Sequence, residues 1–242
     1  MTSTVPMADG QIGSVLIVGA GVSGIQSALD LAEMGLKVFL LDETTAIGGN
    51  MAKLDKTFPT NDCSLCILSP KLVAAGRHQN IQLLMKSEIT GLTGSPGRFK
   101  VKIKKEPTYV IDEKCVGCGA CAEKCPVKVA NEYDMNQGVR KAVYILYPQA
   151  VPMKYAIDRE RCLHFKTGKC LLCAKACQNE AIDHEQLPEE FDLDVGAILL
   201  APGYELFDCR IKTAYGYGKF RNVVSNMEFE RMLSASGPTN GH

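Results

Sequence analysis

The distribution of apolar and polar positions divides the chain before any chemistry is considered. Ser14-Val-Leu-Ile-Val18 is a short continuous apolar run, which predicts a buried strand. Ile25, Ala28, Leu29 and Leu31 then keep a helical rhythm that Gly35 stops. Lys37-Val-Phe-Leu-Leu41 predicts a second strand, ending in Asp42-Glu43. Arg98-Phe-Lys-Val-Lys-Ile-Lys-Lys105 alternates strictly, so it predicts a strand with Phe99, Val101 and Ile103 on one face and solvated lysines on the other, rather than a phosphate-binding patch. Tyr144-Ile-Leu-Tyr147-Pro predicts an extra strand with no chemistry attached, and Asp194-Val-Gly-Ala-Ile-Leu-Leu-Ala201-Pro202-Gly203 predicts an apolar strand closing on a small residue and glycine.

The first strand and helix are joined by Gly19-Ala-Gly21-Val-Ser-Gly24, giving the strand, glycine turn, helix, strand, acid order of a dinucleotide-binding unit. Gly19 permits the tight turn, Gly21 lets backbone amides approach a pyrophosphate, and Gly24 lets the helix pack closely with its N-terminus toward the phosphate charge. Asp42 stands where an acid meets ribose hydroxyls. Gly48-Gly49 follows after five residues. The extended pattern resembles the FAD-binding segment of the two-dinucleotide-binding flavoproteins, such as thioredoxin and glutathione reductases, and that resemblance implies FAD rather than NAD. Ala201 and Gly203 resemble the second FAD signature of the same group, an apolar run followed by Ala-Thr-Gly. Pro202 replaces the threonine, so no hydroxyl contact is expected there.

Composition narrows the surroundings. The 242 residues suffice for one large domain or two ordinary ones, and 46% hydrophobic content fits a real core. Basic and acidic residues balance at 27 each, which removes the charge argument for nucleic acid or an anionic membrane surface as partner. No segment reaches the roughly 20 apolar residues of a membrane span, and the start, MTSTVPMADG, lacks the features of a signal peptide. A cytoplasmic location is therefore expected, where structural disulfides are rare. Eleven cysteines in a reducing compartment point to metal.

Eight of those cysteines form two groups. Cys115-Val-Gly-Cys118-Gly-Ala-Cys121-Ala-Glu-Lys-Cys125-Pro126 is the bacterial ferredoxin run, in which three thiolates wrap one 4Fe-4S cluster and the cysteine before proline reaches the other. Cys162, Cys170, Cys173 and Cys177 repeat it with the first gap widened to seven residues. Each half is announced by a Tyr-x-Ile-Asp, at Tyr109 to Asp112 and Tyr155 to Asp158, and Cys118, Cys121 and Cys125 each have a counterpart 52 residues on. The crossed pattern assigns Cys115, Cys118, Cys121 and Cys177 to one cluster, and Cys162, Cys170, Cys173 and Cys125 to the other. Zinc is the rival for paired cysteines, but zinc ribbons do not show this spacing. His164 is read as a loop residue, and Cys209 as a small buried hydrophobe.

Taken together, the glycine fingerprint, the stretch GGNMAKLDKTFPTNDCSLCILSPKLV, the two-cluster cysteine pattern, and the stretches YPQAVPMKY and NMEFERMLSASGPTNGH resemble the A subunit of heterodisulfide reductase, with the A subunit of the quinone-interacting oxidoreductase close to it. The resemblance implies an α/β Rossmann-like FAD-binding domain of the two-dinucleotide-binding flavoprotein type, with an inserted α+β bacterial ferredoxin-like domain. The expected division is 12–106 and 188–242 for the FAD domain, first part and incomplete second part, and 107–187 for the insert. It further implies an electron-transfer oxidoreductase subunit that relays or bifurcates electrons between FAD and 4Fe-4S clusters, with disulfide-reductase-like, hydrogenase-like or formate-dehydrogenase-like subunits and ferredoxin as partners. No acid, base or nucleophile is expected to act catalytically. The alternatives are a non-catalytic ferredoxin-type module on a degenerate flavin scaffold and a self-contained disulfide reductase. Longer family members carry a domain before the fingerprint and continue past the equivalent of Ser236 to His242, so a truncated product or one half of a split subunit is expected.

Cys63 and Cys66 stand apart from the eight. They precede Ile67-Leu-Ser-Pro-Lys71, expected to open a helix capped by Thr60, Asn61 or Asp62. Glutathione-reductase-like enzymes place a redox disulfide in the corresponding segment. The pair is read as half of a third iron-sulfur site, with a redox dithiol and inert packing as alternatives.

Overall fold

The computed structural model describes residues 12–242; the MTSTVPMADG start lies outside the described residues. The expected strands and helix form: β1 (Ser14–Val18), α1 (Val22–Glu33) and β2 (Lys37–Asp42). A short hairpin, β3 (Lys56–Thr57) and β4 (Asp62–Cys63), leads into α2 (Ser64–Arg77) and β5 (Ile81–Met85). β6 (Ser87–Ser95) and β7 (Arg98–Lys105) follow as an antiparallel pair.

Residues 107–187 hold short elements: α3 (Ala120–Lys124), β8 (Lys128–Ala130), β9 (Val139–Lys141), β10 (Val143–Tyr144), β11 (Ala156–Ile157), α4 (Leu163–Thr167) and α5 (Leu172–Ala176). β12 (Glu189–Val195), β13 (Ala197–Leu200) and α6 (Asn226–Leu233) complete the chain. Of the strand expected over Tyr144 to Tyr147, only Tyr144 lies in one, because β10 ends there. No helix among the described residues is long and apolar enough to cross a membrane.

One parallel sheet, in the order β13-β1-β2-β5, organises the larger unit. β13 runs beside β1 in the register Val15 with Ala197 to Val18 with Leu200, so strands that flank the cysteine-rich stretch in sequence are neighbours in space. α1 and α2 pack Ile25, Ala28, Leu68 and Leu72 onto one face of the sheet, over Val15, Ile17, Val38 and Leu40. The alternate residues Leu16, Phe39 and Leu41 face the other way, against the antiparallel sheet β12-β7-β6. Continuous apolar strands are what burial on both faces requires.

The lysine strand confirms its expected faces, with Val101 and Ile103 fully buried and Lys100 and Lys102 exposed. It also has a partner that the alternation in Arg98–Lys105 does not reveal. β12 alternates acids with apolar residues and lies in register, so Lys100 faces Asp194, Lys102 faces Asp192 and Lys104 faces Glu190. Opposite charges thus stand at facing positions across the two strands.

In residues 107–187, α3 and α5 begin and end 52 residues apart, in the register of the cysteines, and pack against one another. Cys121, Cys125, Cys162 and Cys173 are buried there with Tyr109, Val143 and Ile157. The widened gap between Cys162 and Cys170 is occupied by α4, which ends on Gly168 in a left-handed conformation.

Candidate functional site: a glycine-lined cleft and two cysteine quartets

The cleft forms where the two glycine motifs meet. Gly19 has φ +103°, and a Cβ there would lie 2.1 Å from the Ala201 carbonyl oxygen, so the β1 turn and the end of β13 fit together only with glycine. A Cβ on Gly24 would fall 1.9 Å from the Gly19 carbonyl, which fixes how closely α1 packs. At Gly21, the N-cap of α1, a Cβ would meet nothing within 4 Å. That open side faces a cleft of about 480 Å³ lined by Gly19, Gly21, Asp42, Gly49, Ala201 and Gly203, among others. Gly49 lies beneath Gly21, its would-be Cβ 2.9 Å from the Gly21 Cα. Asn50 Nδ2 donates to the Tyr204 carbonyl at 3.0 Å and closes one end.

Asp42 is placed at the cleft with work already assigned. Its Oδ2 accepts from the Ala20 amide at 2.7 Å, and its Oδ1 accepts from the Thr44 amide and hydroxyl at 2.9 and 2.7 Å. It braces the glycine turn and keeps lone pairs to spare for a hydroxyl. The residues fit the adenosine-diphosphate half of a dinucleotide: a helix N-terminus without a side-chain cap, glycines a Cβ would obstruct, and an acid at the end of the second strand.

The eight ferredoxin-type cysteines fall into the crossed sets. Cys115, Cys118, Cys121 and Cys177 ring a cavity of about 280 Å³, with Tyr155 among its other walls. Gly117 and Gly119 take φ +71° and +86°, and a Cβ on Gly117 would press to 2.9 Å from the Met153 carbonyl. Burial pushes the Cys121 thiol up to about 12, and the neighbouring Cys115 adds to it. Burial likewise pushes Cys173 up to about 11, and Cys162, Cys125 and Cys170 add to it. Thiols this reluctant to ionise become thiolates when a cation sits among them. Among the described residues no group of three or more His, Cys, Asp or Glu side chains converges on a single metal ion.

Cys63 and Cys66 are bonded to each other, with Cα atoms 5.2 Å apart. The structure thus holds them as a disulfide, not as two separate thiolates of a half cluster site. The helix cap also differs from expectation. α2 starts at Ser64, and its N-cap is Cys63, whose Sγ accepts from the Cys66 amide at 3.2 Å, instead of Thr60, Asn61 or Asp62. Cys63 pairs with Lys56 across the β3-β4 hairpin, and Thr57 of that hairpin lines the glycine cleft. Cys209 is half-buried rather than buried.

Residues 126–154, to which the sequence assigns no chemistry, connect the two regions. Tyr133 and Tyr147 stack with centroids 5.2 Å apart. Their hydroxyls donate to the carbonyls of Ala52 and Ile47, which flank the Gly48-Gly49 corner of the cleft. Burial raises both hydroxyls, so they remain protonated donors. Val151 bridges Ile47, and two residues later Met153 packs on Gly117 of the first quartet. Arg231 of α6, 1% exposed, pairs with Asp134 at 2.9 Å, donates to the Lys53 carbonyl at 3.1 Å and lies 4.8 Å over the Tyr133 ring. A Tyr-Asp turn and a distant arginine carry no periodicity, and only the unusual length of 126–154 could have drawn attention to them.

Comparison with known proteins agrees with this layout. Residues 14–63 match the family described as FAD dependent oxidoreductase, and residues 108–130 match the family described as 4Fe-4S binding domain. Over 93% of its length the chain is 48% identical to the A subunit of the H(2):CoB-CoM heterodisulfide,ferredoxin reductase of Methanothermobacter marburgensis, covering 34% of that protein. Over 95% it is 49% identical to the A subunit of the H(2)/formate:CoB-CoM heterodisulfide,ferredoxin reductase of Methanococcus maripaludis, again covering 34%. Among solved structures, L-proline dehydrogenase from P. horikoshii matches 38% of this chain and 19% of that one, at 26% identity and a TM-score of 0.33. The chain therefore spans about a third of the length of the curated relatives it matches.

Proposed function

Nearly the whole chain is homologous to about a third of the A subunit of heterodisulfide reductase, and from that premise we propose that it is the flavin and iron-sulfur electron-transfer part of such an oxidoreductase. The observation that carries the reading is the first quartet around its cavity, linked to the glycine-lined cleft by the segment 151–153, in which Val151 bridges Ile47 and Met153 packs on Gly117. FAD exchanges electrons in pairs or singly and 4Fe-4S clusters exchange them singly, so the two together convert a pair into a relay. Gly19, Gly21, Gly24, Asp42, Gly48, Gly49, Ala201 and Gly203 would hold the dinucleotide, and the eight cysteines the clusters.

We read residues 107–187 as a domain inserted into an FAD domain of 12–106 and 188–242, supported by the pairing of β13 with β1. Partner subunits of disulfide-reductase, hydrogenase or formate dehydrogenase type, and ferredoxin, are in keeping with the names of the relatives. The exposed side chains of Tyr204, Phe207, Ile211, Tyr215 and Phe220 are surface of the kind partners cover.

Anaerobic purification with iron, flavin and visible-spectrum analysis tests the reading. About eight irons and one FAD per chain are expected. Cys115→Ser and Cys177→Ser should each abolish the same paramagnetic signal, although their positions in the sequence put them in opposite halves. Loss of different signals would overturn the crossed assignment, and iron without flavin would leave a ferredoxin-type module.

A second reading concerns Cys63 and Cys66, favoured by the bond between them and by the hairpin they share with cleft residue Thr57. As a redox dithiol the pair gains two thiols on reduction. As half of a third cluster site it would instead bind iron once further cysteines are supplied. Thiol titration before and after reductant separates the two.

A further inference from the structure

One histidine side chain faces a sulfur of the second quartet. His184 points its Nε2 at Cys173 Sγ, 3.8 Å away. His184 is also held in place. His164 lies against it with ring centroids 4.0 Å apart, and Phe165 meets it edge-on at 5.7 Å. His164 is anchored in turn, its Nδ1 lying 3.0 Å from the Cys170 carbonyl. A carbonyl only accepts, so His164 Nδ1 carries the hydrogen. The widened Cys162 to Cys170 gap thus has a use beyond spacing: α4 places the ring that buttresses His184.

A cysteine sulfur bound to iron has no proton and can only accept a hydrogen bond, so the nitrogen facing it is the N–H of the imidazole. Such a bond stabilises the more negatively charged, reduced cluster, and hydrogen bonds to sulfur are among the main determinants of cluster potential. We propose that His184 is a positioning and tuning residue that donates to Cys173 and raises the reduction potential of the second quartet's cluster. This rests on the assignment of Cys125, Cys162, Cys170 and Cys173 to one cluster. The first quartet has a different sulfur contact, the Ala181 amide to Cys177 at 3.3 Å, and that bond belongs to the backbone and to the other cluster. His184 is therefore a means of setting the two clusters apart.

The test is a potentiometric titration of the anaerobically reconstituted full chain, followed by electron paramagnetic resonance. His184→Leu should shift one cluster's midpoint potential to more negative values and leave the other unchanged, at undiminished iron content. His184→Gln, which keeps an N–H donor, should recover part of the shift. Unmoved potentials in a His184→Leu chain holding both clusters overturn the role of His184 alone. A parent chain that assembles only one cluster overturns the quartet assignment, and the proposal with it. If His184→Leu fails to hold the second cluster, the His164→Gln chain decides the matter. There His184 is the ring left beside Cys173, and replacing histidine nitrogen by its heavier isotope should alter the hyperfine spectrum of one cluster. An unaltered spectrum overturns the proposal.

Discussion

Alanine at Gly19 and alanine at Gly21 meet opposite surroundings. Gly19→Ala combines φ +103° with a Cβ 2.1 Å from the Ala201 oxygen, so the β1 turn and β13 must separate. Urea unfolding should show a loss of at least about 2 kcal/mol, of which the left-handed backbone alone accounts for about 1–2 kcal/mol. Gly21 has an ordinary φ of −75° and no atom within 4 Å of the added carbon. Gly21→Ala should cost no more than about 1 kcal/mol of stability, the usual scale at a helix N-cap. It should nevertheless lose FAD, because the methyl group enters the cleft; retained flavin would count against the cleft as its site. Both glycines are legible from the fingerprint, yet only the structure separates the one packed against β13 from the one open to the cleft. Asp42 shows the same division. Its place is readable from the spacing, but its bonds to Ala20 and Thr44 are not.

Among elements, strand β7 carries the clearest case. Alternation identified its buried face, because burial on one side of a strand imposes a period of two. The lysine face looked solvated, and the acids opposite it come from β12, more than eighty residues away in sequence. Lys102→Glu places like charges opposite at Asp192 and should cost about 0.5–1 kcal/mol in denaturant unfolding. Adding Asp192→Lys should return most of it. A double substitution as unstable as the single one would show that the facing charges do not interact. The two cysteine groups were legible through their spacing, since the ligands of one cluster lie within a few residues of each other, but the short helices α3 and α5 that carry them were not. Nor was helix α4, because a seven-residue gap reads as a loop.

At the scale of the whole molecule, Arg231 is the main tie. It joins α6 to Asp134 beside Tyr133 and to Lys53, next in sequence to the cleft residue Leu54. The same charge, after the larger effect of burial, lowers Lys53 below the ordinary lysine range. Replacing Arg231 with methionine keeps most of the apolar volume and leaves Asp134 buried without its countercharge, at a cost of about 3–5 kcal/mol. Limited proteolysis should then open two places at once, the α6 region and the 131–138 turn. Protection of either at the parent level would show that the ion pair does not join them.

Sequence alone determined what is encoded over short distances: the glycine turn with its following acid, the cysteine spacings that wrap a cluster, the 52-residue repeat, and the buried faces of β1, β2 and β7. Each follows from local geometry, from the backbone freedom of glycine to the two-residue period of a strand. Tertiary structure alone decided what depends on segments meeting. It brought Ala201 against Gly19. It set Tyr133 and Tyr147 under the cleft and aimed His184 at Cys173. Such contacts leave no periodic trace, because their partners are fixed by how the sheet and the cysteine core pack and not by their distance along the chain.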